Sequence, residues 1–195
     1  MTTTRQRILD EATAQLLERG YSNFTIASVR DALGLSSGSM FHAFASKPAL
    51  AAEVFVSGMR SYQRAAMEAI ADLDEPVAAV EAWIEAHLRW VSGHRDLARF
   101  LFATQPDEVM AAAAGPLAEA NDAFTKTVDD LLHHAVEAGA LAPLPAGVAH
   151  SLAMGAVQEY SRRWTRGAAP VDPAALVGTF QRAAVQAMRS TLTEE

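Results

Sequence analysis

Residues 25–47 read TIASVRDALGLSSGSMFHAFASK. The stretch spells two short helices joined by a tight turn, followed by the start of a third. Val29, Leu33 and Leu35 supply an apolar face. Gly34 stands where the chain must reverse, and glycine tolerates the backbone angles that a reversal can require. Ser36 then offers a side-chain oxygen to the free amides of the next helix. This is the pattern of a helix-turn-helix, whose second helix can enter the major groove of DNA.

The preceding TRQRILDEATAQLLERGYSNF reads as a helix that stops at Gly20, beside Tyr21. Its inward stripe is Ile8, Ala12 and Leu16, at steps of four. Thr25 caps the second helix, the turn follows as Leu33-Gly34-Leu35-Ser36, and the recognition helix closes on Phe41-His42-Ala43-Phe44 and Ser46-Lys47. In this order the residues resemble the DNA-binding domain of the TetR family of bacterial transcriptional regulators, over about residues 4–55. Agreement of several spaced positions in one order is what makes the match specific. Three positions depart from the family pattern. Arg30 replaces the usual alanine, so it must snorkel outward or open the helix pair slightly. Phe41 replaces a tyrosine and lacks its hydroxyl, and Ala43 replaces a histidine, with His42 beside it.

The chain has 195 residues and 50% hydrophobic content, enough for a large core in one or two domains. It has no cysteine, hence neither disulfides nor thiolate metal ligands. No apolar run approaches bilayer length, and MTTTRQR leads into a helix without an apolar signal core, so a cytoplasmic protein is expected. Net charge is −7. Within residues 1–50, Arg5, Arg7, Arg19, Arg30 and Lys47 oppose Asp10, Glu11, Glu18 and Asp31, giving +1, which leaves −8 for the rest. A nearly neutral DNA end and an acidic remainder orient the protein on a duplex and imply modest non-specific binding.

The spacing predicts an all-α chain of about nine helices, with no period-two alternation. Expected domains are residues 1–47, a three-helix helix-turn-helix domain, and 48–195, a helical bundle for ligand binding and dimerisation. Ser46 can cap a fourth helix that runs to about Leu73. Asp74 and Pro76 open a fifth, ending near Gly93, and a sixth covers about Asp96 to Thr104. Pro106 and then Gly115-Pro116 break the chain, so the seventh is expected from Leu117 to Ala138, stopped by Gly139. An eighth spans about Gly147 to Arg166, and Asp172-Pro173 starts a ninth that runs to about Thr191.

On the recognition helix Met40, Phe41 and Phe44 are expected to face inward, leaving Ser37, Gly38, Ser39 and His42 outward. By position these match the family's base-facing and phosphate-facing residues. Serine discriminates bases poorly, His42 can reach a guanine edge or a phosphate, and Gly38 lets the backbone come close. Lys47 suits a phosphate oxygen at a helix start, and Thr25 and Ser46 offer hydroxyls at helix starts too, although capping alone explains Thr25, Ser36 and Ser46. Arg5 and Arg7 are as readily solvated as DNA-bound.

Helices eight and nine are apolar over more than one face, with Leu152, Ala153, Gly155, Ala156, Val157, Tyr160 and Trp164 on one. The other carries Leu176, Val177, Phe180, Ala183, Ala184, Ala187 and Met188. One face can pack inward and another against a second copy, and a homodimer reads a palindromic operator in double-stranded DNA. Trp83, His87 and Trp90 share one helix face, with Phe102, Phe124 and Gln158 on neighbouring segments; they are candidates to line a pocket, and equally to be core. The resemblance implies that an unknown small-molecule effector bound there changes the separation of the DNA-binding heads. His133 and His134 point about 100° apart and make poor joint metal ligands. No cofactor is implied, and no nucleophile elbow, phosphate loop or HExxH motif points to an enzyme. The expected function is a dimeric transcriptional regulator, a repressor released by a ligand; the alternative is an architectural, nucleoid-associated DNA binder without an effector.

Overall fold

A computed structural model describes residues 3–145 and 147–189. Among them are nine α-helices and no strand: α1 (Thr4–Asn23), α2 (Ile26–Ala32), α3 (Ser37–Ala43), α4 (Lys47–Ile70), α5 (Pro76–Gly93), α6 (Arg95–Phe102), α7 (Asp107–Glu137), α8 (Val148–Thr165) and α9 (Val177–Arg189). The expected end of the ninth helix, Thr191, lies outside the described residues.

Two compact units emerge from the packing, one of residues 1–60 and 100–119, the other of 61–99 and 120–195. Both α4 and α7 therefore contribute to each.

The first unit is built on the stripe that the sequence displays. Ile8, Ala12 and Leu16 of α1 are buried together with Phe24, Val29, Met40, Phe44, Leu50 and Val54. Val109 and Ala113 of α7 complete this core. Gly20 adopts φ 72°, which ends the regular part of α1, and the chain continues helically only to Asn23. At the next turn Gly34 has φ 63°; its amide donates to the Asp31 carbonyl (3.2 Å) and the Leu35 amide to that of Arg30 (3.0 Å). This pair of reversed bonds is the Schellman arrangement, and it satisfies carbonyls that the end of α2 leaves open.

In the second unit α5, α8 and α9 pack on one another. Val80, Trp83, Ile84 and Leu88 of α5 meet Val128 and Leu132 of α7, Met154 and Val157 of α8, and Met188 of α9. Glu75 caps α5, accepting from the Val77 amide at 3.0 Å, one residue after the cap that Asp74 would supply. A 3-10 turn at Pro173–Leu176, capped by Asp172, precedes α9.

The start of α7 departs furthest from expectation. α7 begins at Asp107 and runs through Gly115-Pro116 instead of starting after them. A proline inside a helix forfeits one hydrogen bond, to the carbonyl four residues earlier, and crowds it. That carbonyl belongs to Ala112, whose exposure leaves water to solvate it. Val109 and Ala113 before the proline, and Val128 and Leu132 after it, are buried, each pair in the core of its own unit. Anchored apolar positions on both sides thus outweigh the local breaker.

Candidate functional site

Each helix of the helix-turn-helix is started by a hydroxyl. Thr25 Oγ1 accepts from the Ser28 amide at 3.0 Å, and Ser36 Oγ from the Ser39 amide at 3.1 Å. Ser36 and Ser39 also share a hydroxyl–hydroxyl bond of 3.0 Å. Ser46 Oγ accepts from the Ala49 amide at the start of α4 (3.2 Å). Capping is therefore a realised role of these residues, and it leaves Thr25, Ser36 and Ser39 exposed.

Ser37, Gly38 and His42 are exposed as well. Ser37 is engaged from α2: Arg30 Nη1 donates to its hydroxyl at 3.2 Å, while Nη2 pairs with Asp31 at 2.6 Å. Of the two ways to place an arginine at position 30, the chain uses the outward one.

Phe41 corrects the expectation of an inward ring. It is 56% exposed, whereas Met40 is fully buried and Phe44 4% exposed. Met40 and Phe44 stand four residues apart and share a face; Phe41 is turned about 100° from Met40 and cannot join them. A helix as short as α3 has one inward stripe, and these two side chains fill it.

Lys47, at the first turn of α4, is half-buried. Its ammonium lies over the Tyr21 ring, 4.2 Å from the centroid. The Tyr21 hydroxyl donates to Glu108 at the start of α7. Burial, that bond and the carboxylate charge together push the Tyr21 phenol up to about 12. Arg5 is tied to the domain itself: it donates to the Ala43 carbonyl at 2.9 Å, pairs with Glu53 at 3.0 Å and lies over the Phe44 ring. Arg7 is exposed.

In the second unit four of the six candidate pocket residues form one aromatic group around Tyr62. Its ring meets those of His87, Trp90 and Phe124 edge-on, with centroids 5.2, 5.6 and 5.9 Å away, and Trp83 meets Phe124 at 6.5 Å. Trp83, His87 and Trp90 are buried. His87 Nε2 and Ser161 Oγ share a hydrogen bond of 3.2 Å, and Trp90 Nε1 donates to Ser61 at 3.2 Å. Burial drives the His87 pKa down to about 4 and the Tyr62 phenol up to about 12, the latter shift opposed by the neighbouring Trp83 indole. Gln158 is half-buried on α8. Phe102 falls in the first unit.

A cleft of about 590 Å³ opens between the end of α7 and the start of α8, with Leu132, Val136, Leu144 and Ala149 among its walls. His150 lines it and meets the Trp83 ring edge-on at 5.2 Å. Neither His150 nor Tyr62 stands out in the sequence. Tyr62 sits within α4 among core spacings, and an isolated histidine at a helix start has no partner at a telling interval. Among the described residues no group of three His, Asp or Glu side chains is placed to hold a metal ion. Nor, among them, is any helix long and apolar enough to cross a membrane.

Residues 8–54 match the family model of the bacterial regulatory proteins, tetR family. No curated protein matches the chain. Among solved structures, a bacterial regulatory protein in the tetR family from Rhodococcus RHA1 is 18% identical, with a TM-score of 0.72 over 98% of this chain and 100% of that one. The transcriptional regulator FadR from Bacillus subtilis, solved in complex with stearoyl-CoA, is 18% identical with a TM-score of 0.76, over 92% and 96% of the two chains. The ketosteroid transcriptional regulator KstR2 of Mycobacterium tuberculosis is 17% identical with a TM-score of 0.68, over 98% and 97%. At these identities the likeness establishes a common fold. The helix-turn-helix built from Thr25 to Phe44 lies inside the segment that matches the tetR family model, and the whole chain shares the fold of solved regulators of that family.

Proposed function

We propose that the protein is a dimeric, sequence-specific regulator of transcription, a repressor that leaves a palindromic operator when a small molecule binds. The observation that carries this is the exposed polar face of α3, where Ser36, Ser37, Ser39 and His42 stand outward while Met40 and Phe44 anchor the helix behind. Residues 1–47 would form the DNA-binding domain and 48–195 the part that dimerises and takes the effector. Thr25, Ser36, Ser37, Gly38, Ser39, His42 and Lys47 are the residues we assign to the duplex. Serines and His42 meet base edges or phosphates, and Lys47 meets a phosphate at the start of α4. Such work belongs in the cytoplasm, with the chromosome.

Dimerisation is supported by α8 and α9. Ala153, Met154 and Val157 of α8 are buried, while Gly155 and Ala156 remain exposed; on α9 Ala184 and Met188 are buried and Ala183 is exposed. Small exposed residues let a second copy's helices come close. An effector is supported by the group of Trp83, His87, Trp90 and Phe124 and by the cleft that reaches it through His150. The solved relative with stearoyl-CoA favours an apolar-tailed molecule. Such a ligand needs only to bind the released arrangement more tightly than the operator-bound one.

Sedimentation velocity with a duplex selected from a random-sequence pool tests this reading. Two chains per duplex are expected, and dissociation on adding the molecule that copurifies with the protein, identified by mass spectrometry, or stearoyl-CoA as a probe. A single chain per duplex at micromolar concentration would overturn the dimer. Equal affinity for all duplexes would favour the architectural binder.

A further inference from the structure

Phe41 is a large apolar side chain left 56% exposed in the middle of the polar face of α3. Nothing in the fold of its own unit requires it there, since Met40 and Phe44 already fill the inward stripe. One turn earlier on the same face is Gly38. A methyl built on Gly38 would touch only the Ser36 hydroxyl, at 3.8 Å, an ordinary contact. Space for a side chain therefore exists at position 38, and the chain leaves it empty. Helix side chains lean toward the N-terminus, so the Phe41 ring leans toward that gap. The result is a notch with one aromatic wall and a bare backbone floor, flanked by hydroxyls.

In the major groove one base-edge group is apolar, the 5-methyl of thymine. Resting on the reading that α3 enters that groove, we propose that Phe41 and the Gly38 notch read the 5-methyl group of one thymine in each operator half-site. The other exposed residues of α3 contribute hydroxyls and an imidazole, which pair with polar edges and cannot reward a methyl. Phe41 lacks the hydroxyl with which a tyrosine would bind a phosphate, which leaves its ring for packing.

The test is a thymine-to-deoxyuracil scan of a duplex selected by the protein from a random-sequence pool. Each substitution removes one methyl and keeps every hydrogen-bonding group. With wild-type protein one symmetry-related pair of positions is expected to weaken binding about fourfold per half-site, the worth of one methyl withdrawn from water. The Phe41→Ala variant should bind the thymine and deoxyuracil duplexes equally, and Phe41→Leu should keep part of the difference. Gly38→Ala should fold as wild type, read by circular dichroism, yet lose affinity for the thymine duplex. A wild-type scan with no sensitive position, in a protein that still selects a sequence, would overturn the proposal alone. So would a sensitive position that persists in Phe41→Ala. Failure to retain any duplex at low salt would overturn the DNA-binding reading and the proposal with it.

Discussion

The ammonium of Lys47 lies 4.2 Å from the centre of the Tyr21 ring. An aromatic face attracts a cation and restricts where a long flexible side chain can go. Lys47 is thus held at the first turn of α4, where free amides already favour an anion. If it meets a phosphate there, Lys47→Ala should weaken binding to all duplexes alike. The slope of log affinity against log salt should fall by about one per subunit. Fluorescence anisotropy at several salt concentrations reads both quantities, and an unchanged slope would remove Lys47 from the interface.

The phenol of Tyr21 donates to Glu108 and so ties the end of α1 to the start of α7 within the first unit. Tyr21→Phe keeps the ring beneath Lys47 and deletes only that bond. It should cost about 1 kcal/mol of stability in urea denaturation, while DNA affinity at neutral pH stays near wild type. A large loss of affinity with unchanged stability would show that the bond acts on DNA contact and not on the fold.

His87 is buried on α5 with its pKa lowered to about 4 by loss of solvent. In the unfolded chain it titrates near 6.5. Between these values the unfolded state binds more protons, so stability falls as the pH drops from about 6.5 toward 4. The stability in hand at neutral pH from this one group amounts to about 3 kcal/mol at most. His87→Gln should flatten the profile of denaturation midpoint against pH across that window. An unaltered profile would assign the acid sensitivity elsewhere.

Gly34 holds φ at 63°, and no atom lies within 4 Å of where its side chain would be. Gly34→Ala should therefore destabilise through backbone strain alone, by about 1 kcal/mol. Gly38, inside α3 with an ordinary helical backbone, should show no such loss on substitution by alanine. Thermal denaturation of the two variants side by side separates the roles of the two glycines.

The helix-turn-helix was legible because its signals are local. Gly34 marks the reversal, Thr25 and Ser36 mark helix starts, and Ile8, Ala12 and Leu16 mark one inward face. Each depends on neighbours within a turn or two. Hydrophobicity alone turns Phe41 inward, but direction decides: two inward residues four apart already fix where the residue between them points. The continuity of α7 through Pro116 was hidden for a different reason. A proline's effect depends on what buries the helix before and after it, and those contacts come from distant parts of the chain. The group around Tyr62 and the cleft at His150 likewise join α4, α5, α7 and α8, at separations no local pattern records.

The most direct test of the central claim is selection from a pool of random duplexes at physiological salt, followed by sequencing and by binding of the winner to wild-type protein and to His42→Ala. An inverted repeat with half-sites about one helical turn apart is expected. Relative to wild type, His42→Ala should lose about 1–3 kcal/mol of discrimination at one base pair per half-site. A pool that emerges without enrichment, from a protein that also retains no duplex at low salt, would contradict the account.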